Sequence, residues 1–156
     1  MLSSIQQGIQ AAHVIGEMAA WYKDDPENAF FEWAESHKTI QLMNGGNHEA
    51  ITNIVQFFCD LDEKNELHKT DKFSWSVFRE DRQSLNSAVT CAGIIVPTHV
   101  CRLVQMCGKE SARSHLCGYN EDTLIARDDD GKMLELEFSY ADVALADFLK
   151  KFRYAS

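Results

Sequence analysis

A chain of 156 residues, 45 % of them hydrophobic, can bury roughly two thirds of its unfolded surface in one core, so it needs no staples and leaves no room for a second full domain. Twenty-four Asp and Glu against fifteen Lys and Arg give a net charge of −9, which repels polyanions at long range; the densest basic cluster, Lys150, Lys151 and Arg153, is short. The five cysteines are an odd number and read as free thiols of a reducing compartment, no run approaches the ~20 apolar residues of a membrane span, and the first residues lack a secretory pattern, so a cytoplasmic protein without membrane contact is expected.

Ser3 and Ser4 followed by Gln6 and Gln7 form a capping-box pattern, and Ile5, Ile9, Ala12, Gly16 and Ala19 recur at helical spacing, which predicts a helix over 4–22. Its small residues allow close approach to a sheet or another helix. Asp25-Pro26 is an N-cap followed by proline at the first helical position, predicting a second helix that ends near Glu35. Residues 38–43 read as a strand, and Asn44-Gly45-Gly46 turns into a helix capped by Asn47 with Ile51, Ile54, Val55, Phe58 and Leu61 on one face. The charged stretch 62–72 has no apolar pattern and is read as a loop.

Phe73, Trp75 and Val77 alternate with serines, the period-2 signature of a half-buried strand, and 88–97 is a nearly continuous small and β-branched run of the kind buried on both faces. Between them lies the charged segment Arg79, Glu80, Asp81, Arg82 and Ser84, too long for a two-residue hairpin turn. Because functional side chains concentrate on loops at strand ends, chemistry is sought there first. A short helix over 99–107, a hairpin of 123–126 with 133–138 turning at Asp130-Gly131, and a closing helix over 140–152 complete the chain. Together these predict one α/β domain over 1–156, a small mixed β-sheet with helices on both faces plus a C-terminal hairpin and helix.

Three constellations are candidates for chemistry. Cys101, Cys107, His115 and Cys117 are spaced poorly for structural zinc, which uses ligand pairs about two to four residues apart, so dispersed thiols are the reading and no metal is expected. His48 and His68 stand among polar residues and are read as solvated. Gly45-Gly46 before a helix could take a phosphate on its amides, but a lone Gly-Gly is a weak signal and a plain strand-to-helix turn is the favoured reading. Gln6, Gln10 and His13 share one helical face at i, i+4 and i+7. No serine-hydrolase elbow, zinc-protease helix or Walker loop is present.

In this order, Gln6-Gln-Gly-Ile-Gln-Ala-Ala-His13, the strand-turn-helix of 38–58, and 78–97 with its Ser-Leu-Asn-x-x-x-Thr-x-x-Gly-Ile-Ile-Val-Pro ending resemble the type II peptidyl-tRNA hydrolases, most closely the short members carried by large tailed phages. The resemblance covers 3–98 and leaves 99–156 as an extension. It implies a four-stranded mixed sheet with helices on both faces, no cofactor, and cleavage of the ester that joins a peptide to tRNA. The family's Lys-x-x-x-Gln with a His three residues on corresponds to Gln6, Gln10 and His13. Its Asp and Thr four apart correspond, with a one-residue slip, to Glu80 and Ser84; without the slip, Arg79 and Gln83 stand there and neither group is kept. The resemblance also implies a strand before helix one, which is either absent here or replaced by another segment such as 133–138.

Two functions follow. In the first, Glu80 activates water, Ser84 and Gln10 position the carbonyl, and His13 supports them. In the second, the neutral Gln6 in place of the lysine marks an inactive relative that binds a nucleotide or small signalling ligand through Arg79, Arg82 and the Gly45-Gly46 helix start, or that inhibits a host defence protein. Either would act in the cytoplasm, the host's for a phage protein, and an exposed strand edge would favour a homodimer.

Overall fold

The residues described by a computed structural model, 4–68, 70–108, 110–120, 123–127 and 133–152, form a mixed helix-and-sheet α/β structure. They group into two compact units, one drawn from 4–59 and 73–95 and the other from 60–72 and 96–152. The Asp130-Gly131 turn and the side chains of Ser84, His115 and Cys117 lie outside the described residues. No described helix is long and apolar enough to cross a membrane.

The first unit is built on a hairpin of β1 (Trp75–Arg79) and β2 (Val89–Ile94), paired antiparallel. The intervening charged segment holds a short helix, α4 (Arg82–Leu85). Helix α1 (Ser4–Trp21) packs on both strands. Its buried face is Ala11, Val14 and Met18, whereas Ile5 and Ile9 are exposed. Small and apolar residues occur all around this helix, so periodicity alone did not select the face; bulk did, because Val14 and Met18 fill space that Ala12 and Gly16 cannot. Val14, Met18 and Phe30 form a cluster with Tyr22, Phe31, Trp33, Phe78, Cys91 and Ile95 around it. Gly93 of β2 is what lets α1 approach: a Cβ there would lie 2.8 Å from Val14 Cγ1.

Helix α2 (Ala29–Glu32) is capped by Asn28, not Asp25, because the Asn28 side chain accepts from the Phe30 amide at 3.0 Å. It runs on as a π-turn through Trp33–His37, beyond the expected end at Glu35. The expected strand at 38–43 does not form; only Met43 makes an isolated bridge. Lys38 is left-handed at φ 52, and the Trp33 indole N–H donates to the Thr39 carbonyl at 3.0 Å, occupying an acceptor that a ladder would need. Ile40 consequently stays 53 % exposed. Helix α3 (His48–His68) extends well into the stretch read as a charged loop. Glu and Lys are good helix formers without an apolar stripe, and Leu61 and Asn65, four residues apart, are both buried.

In the second unit, α5 (Thr98–Cys107), a 3₁₀ turn (Ala112–His115) and α6 (Tyr140–Leu149) pack together, and α5 and α6 also meet the strand Met133–Phe138. Val100, Leu103, Ala112, Phe138, Leu145 and Ala146 are buried. The C-terminal hairpin is part of a three-stranded antiparallel sheet, β3 (Leu116–Asn120), β4 (Thr123–Arg127) and β5 (Met133–Phe138). Sequence reading missed β3, whose Cys-Gly-Tyr centre shows no clean alternation. A capping box of Ser139 and Asp142 starts α6, and His99 Nε2 lies 3.0 Å from Asp142 Oδ1.

Candidate functional site

Successive side chains of a strand point to opposite faces, and the β1–β2 hairpin uses this to separate two polar groups. On one face Phe78 stacks on His13 of α1, ring centroids 4.2 Å apart and planes 10° from parallel. Two residues on, Glu80 keeps to the same face, its amide donating to the Ala88 carbonyl at 3.0 Å as the hairpin opens. Its Oε1 accepts a hydrogen bond from Gln10 Nε2 at 2.7 Å. Gln10 Oε1 in turn accepts from the Thr90 hydroxyl at 2.7 Å. A carboxylate can only accept, so the Glu80 contact fixes which end of the Gln10 carboxamide is nitrogen.

The position of Thr90 depends on a β-bulge. Phe78 pairs with Cys91 and Arg79 with Val89, so Thr90 is the extra residue between two ladder pairs. A bulge re-aims the side chain it contains, and both Thr90 and Cys91 contact α1 or its cluster. Strict alternation along the run would have put only one of them there. The signal available in sequence was a lone hydroxyl in an otherwise apolar strand.

The structure thus joins Gln10 and Glu80, expected to act together although seventy residues apart. Gln10 is held between Glu80 and Thr90, an orientation that serves the carboxylate more directly than a substrate carbonyl. His13 packs on Phe78 near them. Gln6 is exposed two turns before His13, and Arg82 is exposed in α4. Among the described residues no group of three or more His, Cys, Asp or Glu side chains is arranged to hold a metal.

On the other face of the hairpin, Trp75 meets Phe58 of α3 at 5.6 Å between ring centroids, and Arg79 turns into a cleft of about 370 Å³ against the first turns of that helix. His48 is exposed, as expected, and belongs to this cleft, with Nδ1 3.2 Å from the Val89 carbonyl oxygen. The Gly45-Gly46 turn is occupied by its own side-chain bonds. The Gly46 amide, at φ 86, donates to Asn44 Oδ1 at 3.0 Å, and the Ala50 amide donates to Asn47 Oδ1 at 3.0 Å. Those amides serve the turn and the helix cap, which removes the reason for expecting a phosphate on them. A Cβ at Gly45 would lie 3.3 Å from Ile51 Cγ1, a tight contact with that side chain.

Four cysteines, Cys59, Cys91, Cys101 and Cys107, are free thiols. Burial pushes the thiols of Cys91, Cys101 and Cys107 above their ordinary pKa. They are poor nucleophiles at neutral pH, since the thiolate is the reactive form. Comparisons of the chain with protein-family models, with curated proteins and with solved structures find no match.

Proposed function

We propose that the chain is a carboxylate-assisted esterase of the peptidyl-tRNA hydrolase type, acting in the cytoplasm, the host's if the chain is phage-borne. The observation that carries this reading is the 2.7 Å bond by which Gln10 orients Glu80. These are the residue types, on the helix and the post-strand loop, that the sequence resemblance pairs. In the proposed reaction Glu80 takes a proton from water as the water oxygen attacks the ester carbonyl carbon. The tetrahedral intermediate collapses with cleavage of the bond to the ribose oxygen, and the Glu80 proton passes to that oxygen. A free peptide carboxyl group and an intact tRNA result. Gln10 and Thr90 act as positioning residues, holding one carboxylate oxygen so that the other can face water.

A second reading, an inactive relative that binds a ligand or blocks a host protein, is favoured by one residue. Gln6 is neutral where the resemblance expects a lysine, and losing one such charge-stabilising donor typically costs ~100 to 1000 in rate. Incubation of the purified protein with peptidyl-tRNA and with aminoacyl-tRNA separates the two. Turnover that disappears in Glu80→Gln supports the esterase, and absence of turnover by the unmodified protein leaves the binding reading.

A further inference from the structure

We infer that the cleft between Arg79 and His48 binds the phosphate of a small phosphate monoester, independently of whether the Glu80 face hydrolyses anything. The cleft, about 370 Å³, falls within the usual range of small-ligand sites, ~300–1000 Å³. In a chain of net charge −9, none of its lining residues is acidic. Arg79, from the end of β1, is permanently charged, and among the described residues no carboxylate pairs with it. Its planar fork of donors suits bidentate contact with a phosphate.

His48 approaches from a different element, the start of α3. The Val89 carbonyl can only accept, so the 3.2 Å contact puts a hydrogen on Nδ1 and leaves Nε2 as the nitrogen for a ligand. Protonated, Nε2 donates to a phosphate oxygen; neutral, it accepts from a monoester hydroxyl. Two groups able to carry positive charge, brought from two elements, match a dianion better than a singly charged carboxylate. Asn86 and Ser87 close the polar side. Val55 and Val89 form an apolar wall for the organic body of the ligand, the usual division of labour in such sites. The shared chemistry fits a free mononucleotide or the terminal phosphate of an oligonucleotide. The overall charge favours the small ligand, since a polyanion is repelled at long range.

The test is titration of the full chain with inorganic phosphate, AMP, adenosine and a 5′-phosphorylated oligonucleotide, followed by calorimetry and by amide chemical shifts of residues 48–55 and 79–89. AMP should bind and shift these amides, and adenosine should not. Arg79→Ala should weaken AMP roughly tenfold or more, the effect of losing a charge-assisted hydrogen bond of ~1.5–3 kcal/mol, while Arg79→Lys should retain part of the affinity. His48→Gln should weaken it less. Dispersed amide spectra of each variant establish that it is folded, and the exposed end of β1 tolerates both Arg79 changes. Stronger binding of the oligonucleotide than of AMP, lost in Arg79→Ala, would keep the phosphate site and assign it to a nucleic-acid end. No response to any phosphate at ~10 mM, well above the concentration a millimolar site needs, would overturn the inference. So would binding unchanged in both Arg79→Ala and His48→Gln.

Discussion

Replacing Gly93 by Ala should loosen the support on which the Gln10–Glu80 contact depends. The added methyl would lie 2.8 Å from Val14 Cγ1 and 3.5 Å from Met18 Cε. Val14 is 4 % exposed, and a β-branched side chain in a helix has one strongly preferred rotamer, so it has no room to turn aside. Overpacking of this kind costs ~1–3 kcal/mol. The smaller conformational freedom of alanine in the unfolded chain returns about 0.4–1 kcal/mol. At the middle of these ranges the net loss is ~1.3 kcal/mol, a fall in Tm of about 3–5 °C for a chain of this size. Urea unfolding of Gly93→Ala, Val14→Ala and the double variant forms a cycle. Because the clash is with Val14 itself, the double variant should be more stable than the sum of the singles by at least ~0.5 kcal/mol. Additivity within ~0.3 kcal/mol, or a Gly93→Ala protein as stable as the parent, would refute the close approach of α1 to β2.

Thr90→Val removes the hydroxyl that steadies Gln10. We expect a stability change of only ~1 kcal/mol, with kcat on peptidyl-tRNA reduced up to roughly tenfold for each ~1.4 kcal/mol of lost positioning, KM unchanged, and activity restored by Thr90→Ser. A Thr90→Val enzyme with full kcat would show that the network does no positioning. For the thiols of Cys91, Cys101 and Cys107, the folded pKa is raised above the unfolded value. Their contribution is therefore intact below ~pH 8.5 and is lost as pH rises further, because the unfolded chain ionises first. Denaturation in the presence of reductant should show stability falling between ~pH 8 and 10, less steeply in Cys91→Ala. A flat profile would contradict the burial assigned to Cys91.

The apolar patterns that predicted the helix after Asn47, both strands of the central hairpin and the closing helix describe faces that do pack, whereas the pattern that predicted α1 gave the helix but not its face, since Ile5, Ile9, Ala12 and Gly16 are exposed and Ala11, Val14 and Met18 are buried. The failures have local causes. Residues 38–43 read as a strand, but Trp33 donates to the Thr39 carbonyl and only Met43 makes an isolated bridge; a strand-like segment says nothing of whether a neighbour exists. The helix through Glu63 and Lys64 was hidden because helix formers on a solvated face carry no apolar signal.

For the site, the i, i+4, i+7 spacing of Gln6, Gln10 and His13 identified a face, and the loop after the first strand identified a carboxylate. Their meeting could be expected only from resemblance. Thr90 stands in the motif that carries the resemblance, but its aim at Gln10 was not legible, since that is set by the bulge between two register pairs, and a bulge leaves no composition mark. His48 is exposed as expected, but its contact with the Val89 carbonyl was not legible, because a histidine among polar residues looks the same in sequence with or without such a partner. Arg79 and Glu80, adjacent in the chain, belong to different faces, a separation that follows from strand alternation once β1 is known to end at Arg79.

The central claim, that Gln10 orients Glu80 to activate water, is tested most directly by single-turnover cleavage of peptidyl-tRNA with the unmodified protein, Glu80→Gln and Gln10→Leu. The account predicts cleavage by the unmodified protein, a loss of ~100 to 10,000-fold in Glu80→Gln, and a smaller loss in Gln10→Leu that appears in kcat. Cleavage at the same rate in Glu80→Gln, or no cleavage by the unmodified protein, would contradict it.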